Sequence, residues 1–316
     1  MSCARTARPS SEAPSASMAH VLTLIAAPPP AALPDEEAIA ALRRDLAEAG
    51  GHPGPIRWLA RGQACDIELA DPLAAIAEKI ARVRLCGAAV DLAVQRLENR
   101  RKRLLLADME STIVTQELLD EIGRALGIGE HIAEVTARAM RGEIDFAQSL
   151  RQRVALLKNS PGTVLERVAR GITLTSGART LVQTMRANGA HTVLLSGGFD
   201  HFARQVQITC GFHEFRANRL IVANGRITGE VQEPIFDGAG KLRVTRETAA
   251  RLSIPLQEAA AVGDGANDVP MLQAVGLGVA FRGKPAVAAA ARFRLEHADL
   301  TGLLYLQGYR RDQFRE

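Results

Sequence analysis

The chain has few cysteines and few aromatic residues. Its four cysteines, Cys3, Cys65, Cys86 and Cys210, are scattered through 316 residues, and no two share a C-x-x-C spacing. That pattern excludes a disulfide framework and a cysteine zinc site, and points to reduced thiols in the cytoplasm. Aromatic residues make up 4% of the chain against 47% hydrophobic residues overall. The core must therefore be built from Ala, Leu, Val and Ile. No run of about 18 uninterrupted apolar residues occurs, so no membrane-spanning helix is expected. Residues 1–17, rich in Ala, Ser, Pro and Arg, lack the apolar segment of a secretory signal. Residues 1–18 are expected to be a disordered tail, or translation to begin at Met18.

The formal net charge is +4 and the pI about 9.1. Residues 96–103 carry five positive charges and one negative, which accounts for the whole excess. This segment lacks the interleaved aromatics that stack on bases, so it reads as a solvated basic linker and no nucleic-acid partner is expected.

Before the linker, residues 19–95 alternate strand and helix signals. His20–Ala26 reads as a strand. Asp35 can cap a helix whose apolar positions are Ile39, Leu42 and Leu46. Strands over 56–60 and 64–69, a helix over 71–85 and a strand over 88–94 complete a β-α-β-β-α-β order. That order is the small α+β, ferredoxin-like pattern. Such a unit serves either as a scaffold for a homodimer or as a small-molecule sensor.

After the linker, Leu104–Ala107 is a short apolar run that stops at Asp108. Glu110, Ser111 and Thr112 follow. An apolar run under a polar tip reads as a buried parallel strand, and sites lie just beyond the carboxyl ends of such strands. A turn aspartate that caps the next helix is the alternative. Residues 116–175 then switch to helical periodicity, an all-helical insert. Asp145 is placed to cap a helix bearing Phe146, Leu150, Val154 and Leu157. Arg153 lies seven positions from Phe146 and so shares its apolar face. It either snorkels outward or meets an anion in a pocket.

Strand–helix alternation resumes after residue 175, the pattern of a doubly wound, mainly parallel sheet. Helices are read over 178–188 and from Lys241 to Leu252, and Asn224-Gly225 marks a type I′ hairpin. Two more strands end in polar tips, Ser196-Gly197-Gly198 and Gly263-Asp264. Parallel pairing brings Asp108, Ser196 and Asp264 to one sheet edge, with Lys241 nearby. Two aspartates suit Mg²⁺. A serine hydroxyl, the Gly197 amide and a lysine suit a phosphoryl group, and an in-line aspartate can act as nucleophile.

Asp108-Met-Glu-Ser-Thr112, Ser196-Gly-Gly-Phe-Asp200, Lys241 and Gly263-Asp-Gly-Ala-Asn-Asp268 resemble, in order, the four motifs of the haloacid dehalogenase superfamily. Glu117, the stretch from Phe146 through Arg153, and Ala217-Asn-Arg-Leu220 resemble its phosphoserine phosphatases. The resemblance covers about residues 100 to 308. A weaker one relates residues 19–95 to an ACT-like domain. It implies an HAD-like core over 104–308 with a helical cap at about 116–175, and Mg²⁺-dependent hydrolysis of phosphoserine, the last step of serine biosynthesis. By the same resemblance Asp108 is the nucleophile and Glu110 the proton donor. Asp108, Asp264 and the Glu110 carbonyl hold the metal, with Asp268 behind them. Ser196, Gly197, Lys241 and Asn267 bind phosphate, Glu117 takes the substrate ammonium and Arg153 its carboxylate. Met140 and Phe146 cover the site. One position departs: the family has Asp where this chain has Glu110. The extra methylene leaves the metal site intact and puts the rate in question, since a shift of ~1 Å in a catalytic group can cost about 10²-fold. Another phosphomonoesterase or phosphotransferase of this fold, or an amino-acid sensor without catalysis, are the competing readings.

Overall fold

The computed structural model describes residues 18–316. The expected tail lies outside the described residues, except Met18, which begins the first strand.

The first sheet is antiparallel, in the order β2-β3-β1-β4. Its strands are β1 (Met18–Ala26), β2 (Ile56–Ala60), β3 (Ala64–Ala70) and β4 (Val90–Arg96). Helices α1 (Glu36–Glu48) and α2 (Asp71–Arg84) connect them. The Asp35 side chain caps α1 by accepting the Ala38 N–H at 2.8 Å, which satisfies one of the donors a helix start leaves orphaned. Side chains alternate across a strand. Leu22, Leu24, Cys65 and Ile67 bury one face together with Ile39, Leu42 and Leu46 of α1. Ile25, Ala64 and Ala93 face the other way and join the apolar cluster of the C-terminal half.

The solvated linker holds for Arg96, Arg101 and Arg103, which are exposed, and fails at Arg100 and Lys102. The Arg100 side chain is only 10% exposed and pairs with Asp66, itself 3% exposed. Arg100 also donates to the carbonyls of Tyr305 and Leu306. Lys102 is buried too, its Nζ bonded to the carbonyls of Asn99 and Gln257. Counting charge within 96–103 missed partners that lie far away in the chain. Asp91 of β4 accepts the backbone N–H groups of Glu296, His297 and Ala298, so both sides of the junction are hydrogen-bonded.

The second sheet is parallel throughout, in the order β12-β11-β10-β5-β6-β7. Its first two strands in the chain are the neighbours β5 (Leu104–Asp108) and β6 (His191–Phe199). Between them run α3 (Leu118–Leu126), α4 (Gly129–Met140), α5 (Phe146–Ala155), α6 (Thr163–Ala169) and α7 (Ala178–Ala187). A capping box at Asp145 and Gln148 starts α5. After β6 come α8 (Asp200–Cys210), β7 (Glu214–Asn218) and the hairpin β8 (Leu220–Ala223) and β9 (Arg226–Val231). Asn224 and Gly225 turn that hairpin with φ of 51° and 72°, as a type I′ turn requires. Then follow α9 (Gly238–Arg251), β10 (Ala259–Gly263), α10 (Val269–Ala274) and β11 (Leu277–Phe281). The chain closes with α11 (Pro285–Ala290), β12 (Phe293–Leu295) and α12 (Gly302–Leu306).

Both faces of this sheet are covered. Leu105, Ala107 and Leu194 pack with Leu181, Phe202 and Val206 on one side. Leu104, Leu106 and Val193 pack with Val244, Met271 and Leu272 on the other. From β5 the chain winds first toward β7, then returns and winds toward β12. This reversal at β5 is a topological switch point, where α/β sheets open a crevice at the strands' carboxyl ends.

Candidate active site

Asp108 ends β5 at that crevice, 6% exposed. The chain then turns sharply. Ser111 takes a left-handed φ of 54° and the Val114 N–H closes the turn on the Met109 carbonyl at 2.9 Å. A non-glycine residue in this region costs about 1–2 kcal/mol, which the buried Met109, Thr112 and Ile113 around it offset. Thr112 Oγ1 donates to Asp264 Oδ1 at 3.2 Å, tying the turn to the end of β10.

Lys241, fully buried on the first turn of α9, bridges Asp108 Oδ1 at 2.6 Å and Asp268 Oδ1 at 2.7 Å. Burial works against its charge, but the two aspartates prevail and hold it protonated, with its pKa raised. Burial and repulsion from Asp268 push the Asp108 carboxyl well above the usual range, against the pull of Lys241. Burial likewise raises Asp264, opposed by Lys284 and aided by Asp268. Asp108 and Asp268 thus share one buried ammonium, and Asp264 has only the more distant Lys284 at 3.7 Å. Asp108, Asp264 and Asp268 can offer oxygens within 4.8 Å of one another. This all-oxygen set fits a hard divalent cation. Asp268 has both oxygens engaged, with Lys241 and the Gly265 N–H, so it orients the set from behind.

One cavity of about 130 Å³ is lined by Asp108, Glu110, Glu117, Phe146, Arg153, Gly197, Asp264, Asn267 and Lys284, among others. Glu110 Oε1 accepts the Leu118 N–H at 2.8 Å, and its Oε2 lies 3.4 Å from Ser196 Oγ. Burial first and the nearby Glu117 second push Glu110 up to about 7, against the Leu118 N–H, Arg153 and Lys241. Ser111 Oγ donates to Glu117 at 2.8 Å. Burial lowers the Arg153 pKa, while Asp120, Glu110 and Glu117 sustain its charge. The arginine faces inward. Two glycines make room: a Cβ on Gly197 would meet Phe146 at 2.9 Å, and one on Gly198 would meet Glu110 at 2.4 Å. Ser196 is fully buried, its Oγ accepting the Gly198 N–H.

Met140 is the one expected residue that the structure leaves apart. It ends α4, is 75% exposed and does not line the cavity.

The family model of haloacid dehalogenase-like hydrolases matches residues 105–273, more than half of the chain. The chain belongs to this hydrolase family. A phosphoserine phosphatase of Streptomyces coelicolor is 38% identical over 284 residues, 88% of this chain and 68% of the relative. One of Lactococcus lactis is 43% identical over 207 residues, 64% of this chain and 94% of the relative. A solved phosphoserine phosphatase holding a phospho-aspartyl intermediate analogue superimposes with a TM-score of 0.61. It is 37% identical, over 65% of this chain and 98% of its own.

Sequence reasoning missed two residues of the hydrolase site. Lys284 lines the cavity, with Nζ 3.7 Å from Asp264. It follows the end of β11, so the strand-end argument that found Asp264 also reaches it. Asp120 is half-buried on α3, and its charge supports Arg153. Asn218, read only as part of the Ala217-Asn-Arg-Leu220 signature and given no role there, ends β7, an edge strand whose mixed polar sequence carries no clear alternation.

Proposed function

We propose that this hydrolase cleaves O-phospho-L-serine to L-serine and phosphate through a phosphoenzyme on Asp108. The observation that carries the proposal is the shared cavity: Glu117 and Arg153, of opposite charge, line it together with Asp108, Gly197 and Asp264. An amino acid bearing a phosphoryl group has matching features, an ammonium, a carboxylate and a phosphate.

Lys241 fixes the rotamer of Asp108 by holding Oδ1, which leaves Oδ2 for attack on phosphorus. The new Asp108 oxygen–phosphorus bond forms as the bond to the seryl oxygen breaks. Glu110, whose carboxyl is pushed up to about 7 by burial and by Glu117, gives its proton to the departing oxygen. It then takes a proton from water. The water oxygen bonds phosphorus, the Asp108 bond breaks and phosphate leaves. Ser196, Gly197, Lys241 and Asn267 bind the phosphoryl oxygens, and Glu117 and Arg153 hold the serine ends. Asp108, Asp264 and the Glu110 carbonyl would hold Mg²⁺, which would supply charge neutralisation for the phosphoryl group when bound.

The finer assignments follow from the same reading. Residues 104–308 form the phosphatase domain, with helices α3 to α6 within the cap at about 116–175. Phe146 covers the substrate, and Met140 joins it only if the 141–145 connection moves inward. Residues 19–95 form an ACT-like unit, their antiparallel order being that of a ferredoxin-like sheet. The reaction is the cytoplasmic last step of serine biosynthesis.

The test is phosphate release from L-phosphoserine with and without Mg²⁺. Release that needs Mg²⁺ and is abolished by Asp108→Asn supports the reading. Equal turnover of a panel of phosphate esters, with no cost on phosphoserine from Arg153→Ala, overturns the substrate assignment.

A further inference from the structure

Resting on that phosphatase reading, we infer that Asn218 is a positioning residue which holds the phosphate-binding loop at Gly197 in register with the helix that carries Lys241.

Asn218 is the last residue of β7 and is 2% exposed. Its side-chain Nδ2 donates to the Gly197 carbonyl at 2.8 Å and to the Phe236 carbonyl at 2.9 Å. Its Oδ1 accepts the Phe236 N–H at 2.6 Å. Both amide hydrogens are thus committed, and the carbonyl oxygen has its donor. The pairing with Phe236 copies a β-ladder: one amide group meets both the N–H and the C=O of a single residue. A side chain here does what a further strand residue would do.

The two partners of Asn218 are the roots of two phosphate-binding groups. Gly197 lines the cavity next to Ser196. Phe236 precedes Asp237, whose side chain caps α9 through the Gly240 N–H at 2.8 Å, and whose carbonyl accepts the Lys241 N–H at 2.9 Å. Lys241 then reaches Asp108 and Asp268. One buried amide therefore sets the distance between the Gly197 loop and the Lys241 ammonium. Asn218 does not line the cavity, so it acts through these neighbours.

Other residues cannot replace it. Asp would turn carboxylate oxygens toward the Gly197 and Phe236 carbonyls. Leu has comparable size but would strip the buried Phe236 N–H and carbonyl, and the half-buried Gly197 carbonyl, of this partner.

The experiment compares Asn218→Asp and Asn218→Ser with the parent, well below each protein's melting temperature. The readouts are kcat and the inhibition constant of inorganic phosphate. Misplacement by ~1 Å predicts a kcat lower by about 10²-fold, and phosphate inhibition weaker by about ten-fold. Leu181→Ala, a buried α7 substitution away from the site, supplies a destabilised control that keeps phosphate inhibition at the parent's level. A folded Asn218 variant with both constants within about two-fold of the parent overturns the inference. Should Asn218→Asp fail to fold, Asn218→Ser carries the same comparison. Inhibition is read on whichever phosphate ester the parent cleaves, or as phosphate binding by calorimetry if it cleaves none. A parent inactive on phosphoserine thus sinks the substrate reading and leaves the Asn218 comparison intact.

Discussion

The Glu110 carboxylate accepts the backbone N–H of Leu118 at 2.8 Å. Leu118 opens α3, so the side chain meets a helix start that has donors to spare and a favourable dipole. The extra methylene of Glu, compared with an Asp, spans toward this N–H. Glu110→Gln keeps the length and removes the proton, so kcat on phosphoserine should fall by about 10²–10⁴-fold. Glu110→Asp keeps the acid and gives up the anchor at Leu118, and should retain more activity than Glu110→Gln. Steady-state kinetics at pH 7 decide the matter. If both variants match the parent in kcat, Glu110 is neither acid nor base.

How much of this was legible in sequence depends on the range of the interactions. Asp108, Ser196 and Asp264 were readable because each ends an apolar run, and parallel pairing alone gathers such ends. Asp145 was readable because capping is local. β7 was not: Glu-Phe-Arg-Ala-Asn is a half-exposed edge strand with no clean alternation. The start of α9 was placed at Lys241, since Gly238-Ala-Gly240 resembles a loop; the cap at Asp237 moves it three residues earlier. α11 and α12 are too short for a 3.6-residue period to show. The burial of Arg100 and the exposure of Met140 are set by packing between distant segments, which local charge and motif order do not encode.

Burial keeps Asp108, Glu110 and Asp264 above ordinary carboxylate values, Glu110 moving from 4.5 to about 7. The folded, metal-free protein therefore binds more protons than the unfolded chain across that window. By linkage, this part of the stability is present below about pH 4.5 and is lost as pH rises through about 7. A divalent cation relieves the same repulsion without protons. Mg²⁺ should therefore raise the melting temperature more at pH 8 than at pH 5, compared with EDTA-treated protein. Equal shifts at the two pH values would mean that the ion does not bind these carboxylates.

The thiols should divide by burial. Burial and the adjacent Asp66 push Cys65 up to about 12, and burial pushes Cys210 up to about 11. Cys86 is exposed. Since thiolate is the reactive form, a Cys3→Ser protein treated with maleimide at pH 7.5 should be modified at Cys86 alone. Mass spectrometry should find Cys65 and Cys210 labelled only in denaturant. Labelling of either in the native state would contradict their placement in the core.

Arg100 and Asp66 form two parallel hydrogen bonds at 2.6 and 2.8 Å, with Thr23 Oγ1 donating to the same carboxylate at 2.8 Å. The pair is nearly sealed from solvent, and Arg100 also ties down the Tyr305 and Leu306 carbonyls. Removing one partner strands the other as a buried charge, which costs about 3–5 kcal/mol. Arg100→Met should therefore destabilise the protein by about that much in urea. The double variant Arg100→Met with Asp66→Asn should recover part of the loss, since no buried charge is then left unpaired. A surface pair behaves otherwise: Arg82 and Glu78, both about half exposed, should lose ~0.5 kcal/mol or less on the same treatment. An Arg100→Met cost as small as that would mean that the junction between the two sheets is open to water in solution.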